Sequence, residues 1–198
     1  MPMGVRGCVP DSRDLVFGDD DGDGHLAGVG EGEGEVAHAE AVGDLGGAAA
    51  EVERGALEVL VRPRDGEPAF LATCALGFKD PAVPTGIWAC PAAEELCAVS
   101  GGYAYVIDST APERFTMITY RPVLEVRAAV EAGLLLFVGH YAILAWGAGG
   151  QAWQTEKLSD EGVTITAVDR AELRGIGWNM MADKETAFVV DLRTGRRA

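Results

Sequence analysis

His140 is the histidine best placed to do chemistry within a folded domain. It lies in the segment Gly139–Tyr141, between two apolar runs. A histidine acts as a general base near neutral pH when a nucleophile and an orienting carboxylate lie beside it. The sequence around His140 offers no such partners, so a surface position in a turn is the favoured interpretation. The other two histidines, His25 and His38, lie in an acidic N-terminal stretch.

Two adjacent pairs of acidic residues, Glu94–Glu95 and Asp160–Glu161, could supply acid–base chemistry. Glycoside hydrolysis needs two carboxyl groups roughly 5–10 Å apart across a cleft. Both pairs fall at expected turns, where acidic side chains keep the surface solvated, and we favour that interpretation. The alternative is a hydrolase in which these four residues and His140 meet in one cleft on one face of the domain.

A calcium site is the next candidate. Asp19, Asp21 and Asp23, followed by Gly24, match positions 1, 3, 5 and 6 of a calcium loop of the EF-hand type. Position 12, which needs a bidentate carboxylate, is Gly30. We therefore favour a solvated acidic segment over a metal site.

The cysteines do not form a recognisable zinc motif. Cys8, Cys74, Cys90 and Cys97 show no CxxC spacing, and no histidine lies near Cys90 and Cys97. We predict that they are buried, small apolar residues. The sequence therefore predicts neither a metal nor a cofactor.

Aromatic residues around the glycine-rich run Gly147–Gly150 could form a binding surface. Side chains that point inward would belong to the core, whereas those at the rim would line a shallow binding surface. The run is not a phosphate loop, because no helix pattern follows it and it lacks the lysine and hydroxyl of a Walker motif. Our candidate binding residues are His140, Tyr141, Trp146 and Trp153.

Residues 1–54 differ in composition from the rest of the chain. Up to Glu53, thirteen acidic residues against two basic ones give this stretch −11 of the total charge of −15. It is rich in Gly and Ala and contains one aromatic residue, Phe17, so it is predicted to be disordered. Residues 54–198 carry the remaining −4, and residues 55–198 are predicted to form the folded domain. No basic stripe is present, so nucleic acid is not an expected partner.

The sequence gives no sign of membrane targeting. Its start lacks the basic region and apolar run of a signal peptide. The longest apolar stretch, near Leu134–Val138, is much shorter than a membrane span. We therefore expect a cytoplasmic protein that does not associate with membranes.

Residues 55–198 show the pattern of an antiparallel all-β domain. Leu57–Val61 and Phe70–Leu76 flank Asp65–Gly66, a pair typical of a hairpin turn. Short apolar or β-branched runs then follow at intervals of about ten residues, separated by Gly, Asp, Pro or Ser. These further predicted strands are Ile87–Cys90, Leu96–Val99, Tyr103–Ile107, Phe115–Thr119, Val123–Val126, Leu134–Val138, Ala142–Trp146, Trp153–Thr155, Val163–Val168, Leu173–Trp178 and Ala187–Leu192.

An internal repeat supports this prediction. A shift of 38 residues places Leu96 on Leu134, Tyr103 on Tyr141 and Phe115 on Trp153. A third copy begins at Val163 and ends near Gly195, and the Leu57–Leu76 hairpin could belong to a fourth. A repeat of about 38–40 residues with four short strands has the period of a propeller blade.

The segments Ala104–Ile118 and Phe188–Gly195 resemble blades of the YVTN and WD40-like β-propeller repeats. The resemblance implies that Asp108 and Asp191 each close a strand and accept backbone N–H groups in the following turn. In the middle copy Trp146 stands where the aspartate is expected. The fold implied is a small or partial β-propeller: a closed ring, an open assembly of sheets, or a partial ring completed by a second chain.

These observations favour an interaction module over an enzyme. The repeats are regular, no set of titratable residues converges in the sequence, and no cofactor motif is present. We expect a non-enzymatic domain that binds a protein or a small ligand through its loop face. Propeller folds host binding proteins, scaffolds and enzymes alike, so the resemblance implies architecture rather than activity.

Overall fold

The computed structural model describes Phe17–Gly18 and residues 55–63 and 68–198. These residues form strands and one short 3₁₀ helix, Val130–Ala132, and no α-helix occurs among them. The strands are β1 (Phe17–Gly18), β2 (Ala56–Val61), β3 (Phe70–Ala75), β4 (Gly86–Ala89), β5 (Glu95–Ser100), β6 (Tyr103–Asp108), β7 (Phe115–Met117), β8 (Glu125–Ala129), β9 (Leu134–Val138), β10 (Ile143–Gly147), β11 (Gly150–Gln154), β12 (Val163–Val168), β13 (Glu172–Asn179) and β14 (Lys184–Asp191). The all-β prediction is confirmed for this part of the chain.

The strands form four antiparallel sheets, one after another along the chain. Sheet 1 contains β1–β3, sheet 2 contains β4–β7, sheet 3 contains β8–β11 and sheet 4 contains β12–β14. Each strand pairs only with the strand before or after it in its sheet, which is the meander expected from the sequence. A bridge between Val190 and Arg197 extends sheet 4 beyond β14.

Each strand predicted from the sequence is present, with ends that differ by up to three residues. Strand β1 is an additional strand that pairs with β2, and Phe17 lies opposite Val59. This short strand was not predicted from the sequence. Other predictions fall outside the described residues: the turn at Asp65–Gly66, the calcium loop at Asp19–Gly30, Cys8, His25, His38 and the rest of residues 1–54.

The core consists of three layers, each between two successive sheets. One cluster of buried side chains joins sheets 1 and 2, a second joins sheets 2 and 3, and a third joins sheets 3 and 4. Sheets 2 and 3 are thus covered on both faces, and β6 and β10 are buried almost throughout. Strands β2 and β12, in sheets 1 and 4, instead alternate between buried and exposed residues. Continuous apolar runs mark sheets covered on both sides, and alternation marks sheets covered on one.

Equivalent positions in sheets 2 and 3 are 39 residues apart along the chain, whereas the sequence alignment of the repeat predicts 38. Cys97 in sheet 2 and Leu136 in sheet 3, which are 39 residues apart, both face the following sheet. A shift of 38 would match Cys97 with Leu135, which faces the preceding sheet. Because side chains alternate between the faces, a slip of one residue exchanges the two faces. The 38-residue alignment is therefore wrong by one position, and Trp146 corresponds to Ile107 rather than to the aspartate that ends β6.

The aspartates that end β6 and β14 organise the turns that follow them. Asp108 Oδ1 accepts the N–H groups of Thr110 at 2.9 Å and Ala111 at 3.1 Å. Asp191 Oδ1 accepts the N–H of Thr194 at 2.9 Å. The turn hydrogen bonds expected of both aspartates are confirmed.

The turns lie at two opposite ends of the packed sheets. We call one the connector end: it carries the β5–β6, β9–β10 and β13–β14 turns and the connecting segments 76–85, 118–124 and 155–162. Backbone hydrogen bonds fasten segments to turns there, such as Val123 N–H to Gly102 O at 2.8 Å and Leu158 N–H to Tyr141 O at 2.7 Å. The remaining turns, at 90–94, 109–114, 130–133, 147–149 and 169–171, lie at the opposite end.

Candidate functional site

Exposed apolar side chains concentrate at the connector end. Among the described residues, the large apolar side chains that are exposed are Phe78, Val130, Tyr141, Met180 and Met181. Four of them lie at the connector end, and only Val130, in the 3₁₀ helix, lies at the opposite end. Single exposed apolar residues are ordinary on a protein surface, whereas a concentration on one surface marks a site of interaction. The connector end is therefore the candidate binding surface.

Five residues form a cluster on this surface, where sheets 3 and 4 meet. We call His140, Tyr141, Lys157, Asp160 and Met180 the turn cluster. The Nζ atom of Lys157 lies 5.7 Å from the centre of the Tyr141 ring and 2.6 Å from Asp160 Oδ1. The rings of His140 and Tyr141 lie 5.8 Å apart at an interplanar angle of 44°. An ammonium over an aromatic face is attracted by the ring quadrupole, so Lys157 links the aromatic and acidic members.

Hydrogen bonds hold the three segments of the turn cluster together. The carbonyl of Tyr141, in the β9–β10 turn, accepts the N–H of Leu158 from the connecting segment. Asp160, in that same segment, accepts the N–H of Met180 on Oδ2 at 2.7 Å. Its own N–H donates to the carbonyl of Trp178 at 2.8 Å. The exposed side chains are therefore displayed from a backbone fixed by hydrogen bonds.

Tyr120 anchors the β9–β10 turn from the connecting segment before sheet 3. Its hydroxyl accepts the N–H groups of Tyr141 at 3.2 Å and Ala142 at 2.8 Å, and donates to Ala142 O at 3.1 Å. The ring lies so close to Gly139 that an added Cβ would come within 2.5 Å of a ring carbon. A side chain at position 139 would displace the Tyr120 ring, so Tyr120 and Gly139 together set where His140 and Tyr141 lie.

The carboxyl group of Asp160 is ionised at neutral pH. The hydrogen bond from Lys157 and that from the Met180 N–H hold the pKa of Asp160 below its ordinary value of 3.8, because both stabilise the carboxylate. A general acid at neutral pH needs a raised pKa instead. The turn cluster therefore offers charged and aromatic contacts to a ligand but no proton donor at Asp160.

The residues of the hydrolase hypothesis do not meet in one cleft. His140 and Asp160 lie at the connector end, whereas Glu95 pairs with Asp108 at the other end of β5 and β6. Glu95 is already engaged there, since its Oε2 accepts a hydrogen bond from Trp146 Nε1 at 2.9 Å. The predicted convergence of both carboxylate pairs with His140 is wrong, because the two pairs occupy opposite ends of the sheets.

The two tryptophans among the candidate binding residues belong to the core. Trp146 packs between sheets 2 and 3 and Trp153 between sheets 3 and 4. The indole N–H of Trp153 donates to the buried carbonyl of Leu192 at 2.7 Å. Of the two roles considered for the tryptophans, the core role is correct and the rim role is wrong. His140 and Tyr141 are the candidates that remain on the surface.

The cysteines of the folded part are not suited to nucleophilic or metal chemistry. Cys74 and Cys97 are buried, as predicted, and Cys90 is half-buried. Burial raises the pKa of Cys74 and Cys90 to about 12 and that of Cys97 well above its usual value. The thiolate is the reactive and metal-binding form, so these groups stay inert near neutral pH. Within residues 55–63 and 68–198 no group of His, Cys, Asp and Glu side chains is arranged to hold a metal ion.

Sequence reasoning missed Phe78, Lys157 and Met180 as surface residues. Each lies between strands, in a segment treated only as a connection. Met180 and Met181 are two consecutive apolar residues in a turn, and this is the signal that could have identified them. Lys157 gives no such signal, because only the packing of sheet 3 against its connecting segment brings it to Tyr141.

Comparison with known proteins does not assign a function to this site. No family model matches the chain, and no curated protein matches it either. In the described part of the chain, no helix is long and apolar enough to cross a membrane. The site is therefore assigned from the arrangement of its residues.

Proposed function

We propose that the chain is a non-enzymatic binding module, built as a partial β-propeller of four blades, that engages a protein partner through the connector end. The observation that carries the proposal is the concentration of exposed apolar side chains at that end. The blade arrangement is supported by four consecutive meander sheets packed face to face. It is further supported by the turn aspartates, Asp108 and Asp191, which hold the places that the propeller resemblance implies.

A protein suits this surface better than a small ligand. Phe78 lies in the segment between sheets 1 and 2, Tyr141 in sheet 3's turn and Met180 in that of sheet 4. Small-molecule sites are concave and enclose most of the ligand, whereas protein interfaces extend over many residues with aromatic, Met and Arg side chains at their centre. A surface that spans several sheets therefore fits a macromolecular partner, with the turn cluster as its charged and aromatic centre.

The test is site-specific photo-crosslinking in the cells that make the protein. A photoreactive phenylalanine analogue is placed at position 141, and at position 130 as a matched control, since Val130 is also exposed but lies at the opposite end. We expect defined heavier adducts from position 141, and loss of those adducts when Phe78→Ala and Met180→Ala are added. Adducts of equal yield from both positions, or none from position 141, would contradict the proposal.

A further inference from the structure

Sheets 1 and 4 each present one face that the described residues leave uncovered. The three core clusters join sheets 1 and 2, 2 and 3, and 3 and 4, and none of them joins sheet 4 to sheet 1. We call the face that a sheet turns to the following sheet its rear face, and the face turned to the preceding sheet its front face. The uncovered surfaces are thus the rear face of sheet 4 and the front face of sheet 1.

The rear face of sheet 4 keeps the apolar pattern of the rear faces that are covered. Two cross-strand pairs define this pattern in sheets 2 and 3, and the longer hairpin of sheet 4 has three such pairs. The pairs are Cys97–Val106 and Val99–Ala104 in sheet 2, Leu136–Ala145 and Val138–Ile143 in sheet 3, and Arg174–Val189, Ile176–Ala187 and Trp178–Glu185 in sheet 4. All positions in sheets 2 and 3 are buried apolar residues. In sheet 4 Arg174 and Glu185 depart from that chemistry, whereas the other four positions are apolar although no described sheet covers the face.

The same rear face is concave. A depression of about 290 Å³ lies on it, lined by Thr164, Ile176, Trp178 and Glu185 among others. Ile176 and Trp178 are half-buried by their own neighbours and present the apolar part of the wall. The depression therefore combines an apolar wall with the carboxyl groups of Glu161 and Glu185.

The front face of sheet 1 also carries apolar side chains. The pairs Leu60–Leu71 and Ala56–Ala75 lie on it, because their neighbours in β2 and β3 point towards sheet 2. Leu60 and Leu71 are half-buried and Glu58 is exposed. Sheets 2, 3 and 4 each use their front face to pack on the rear face of the sheet before them. Sheet 1 carries the one front face that the described chain leaves open.

We infer that the front face of sheet 1 in a second copy of this chain packs on the rear face of sheet 4, and reciprocally, so that two chains close a ring of eight sheets. The contact continues the front-on-rear packing that occurs three times within one chain. Closed rings of blades have typically four to eight members, so two chains of four sheets reach the upper end of that range. The contact joins unlike faces and must close on itself to avoid forming a filament. This inference rests on the proposed blade arrangement but not on binding at the connector end.

Sedimentation equilibrium of the full chain over a range of concentrations tests the inference. We expect twice the mass of the chain for the wild type. Ile176→Lys places a charge on the rear face of sheet 4, and Leu60→Lys places one on the front face of sheet 1. Each substitution alone should halve the mass. The control, Val130→Lys, alters an exposed apolar residue outside both faces and should leave the dimer intact.

Mixing the two variants separates this contact from other modes of dimerisation. The Ile176→Lys chain keeps its front face and the Leu60→Lys chain keeps its rear face, so an equimolar mixture should recover dimers held by one of the two contacts, with weaker association than in the wild type. Circular dichroism and thermal melting of each variant establish that it is folded. A monomeric wild type, a dimer that either substitution leaves intact, or a mixture of folded variants that stays monomeric overturns the inference. A monomeric wild type that still crosslinks from position 141 would leave the proposed function standing.

Discussion

Asp108 illustrates how a single carboxylate ends a strand and fixes the turn after it. Its Oδ1 accepts hydrogen bonds from the backbone of Thr110 and Ala111 and from the Thr110 hydroxyl, and its Oδ2 lies 2.8 Å from Arg114. Partial desolvation of the carboxyl opposes ionisation, but the hydrogen bonds and the guanidinium charge outweigh it. The pKa of Asp108 is therefore lowered from its ordinary value of 3.8. Asp191 likewise accepts hydrogen bonds from the N–H and the hydroxyl of Thr194, so both aspartates stabilise turns.

Replacing Asp108 with alanine should lower the free energy of unfolding by about 1 kcal/mol at pH 7, because the turn N–H groups lose their acceptor. Since the folded pKa is the lower one, this stabilisation is present above pH 3.8 and is lost as the pH falls through the folded value. Urea denaturation at pH 7 and at about pH 2.5 measures both effects. Glu113→Ala, an exposed change in the same turn, is the control. An equal loss for both variants would contradict the assigned role.

At the scale of strands, the sequence predicts where each strand lies along the chain much better than which face of its sheet each side chain occupies. The alternation of short apolar runs with Gly, Asp, Pro and Ser located each strand from β2 to β14, because these residues end strands for local reasons. Strand β1 has only two residues and forms by pairing with the distant β2, so it leaves no local pattern. The repeat was aligned on identities such as Tyr103 with Tyr141, and these do not report which face a side chain occupies.

In the candidate site, too, features that depend on the local sequence are predictable, whereas contacts between distant segments are not. The turn that carries His140 and Tyr141 is predictable, because it separates two apolar runs. Burial of Trp146 and Trp153 depends on the packing of neighbouring sheets, which the residue types alone do not specify. Lys157 reaches Tyr141 only after the connecting segment folds back along sheet 3.

Tyr120→Phe tests how far a connecting segment controls the binding surface. Loss of the hydroxyl leaves the N–H of Ala142 and that of Tyr141 without this acceptor, so we expect a loss of about 1–3 kcal/mol in the free energy of unfolding. Amide hydrogen exchange at Tyr141 and Ala142 should also become faster. Tyr141→Phe removes an exposed hydroxyl from the same turn and should change stability by less than about 0.5 kcal/mol. Unchanged exchange in Tyr120→Phe would show that the turn is held by its other contacts.

At the scale of the whole molecule, the sheets differ in how much packing supports them. Sheets 2 and 3 contribute to two core clusters each, whereas sheets 1 and 4 contribute to one each. Local opening is easiest where few buried apolar contacts resist it. In a single chain, local stability should therefore be highest in sheets 2 and 3 and lowest in sheets 1 and 4. Covering the open faces of sheets 1 and 4 should remove much of this difference.

Native-state hydrogen exchange measures this difference in local stability between the sheets. In the Ile176→Lys chain, expected to be monomeric, amides of the central strands β6 and β10 should exchange at least about tenfold more slowly than those of the central strands β2 and β13, because both faces of their sheets are buried. In the wild type above its association concentration, β2 and β13 should gain protection while β6 and β10 change little. The Val130→Lys chain should match the wild type. Equal protection across all four sheets in the monomer would mean that the domain opens as one cooperative unit, with its open faces contributing no local weakness.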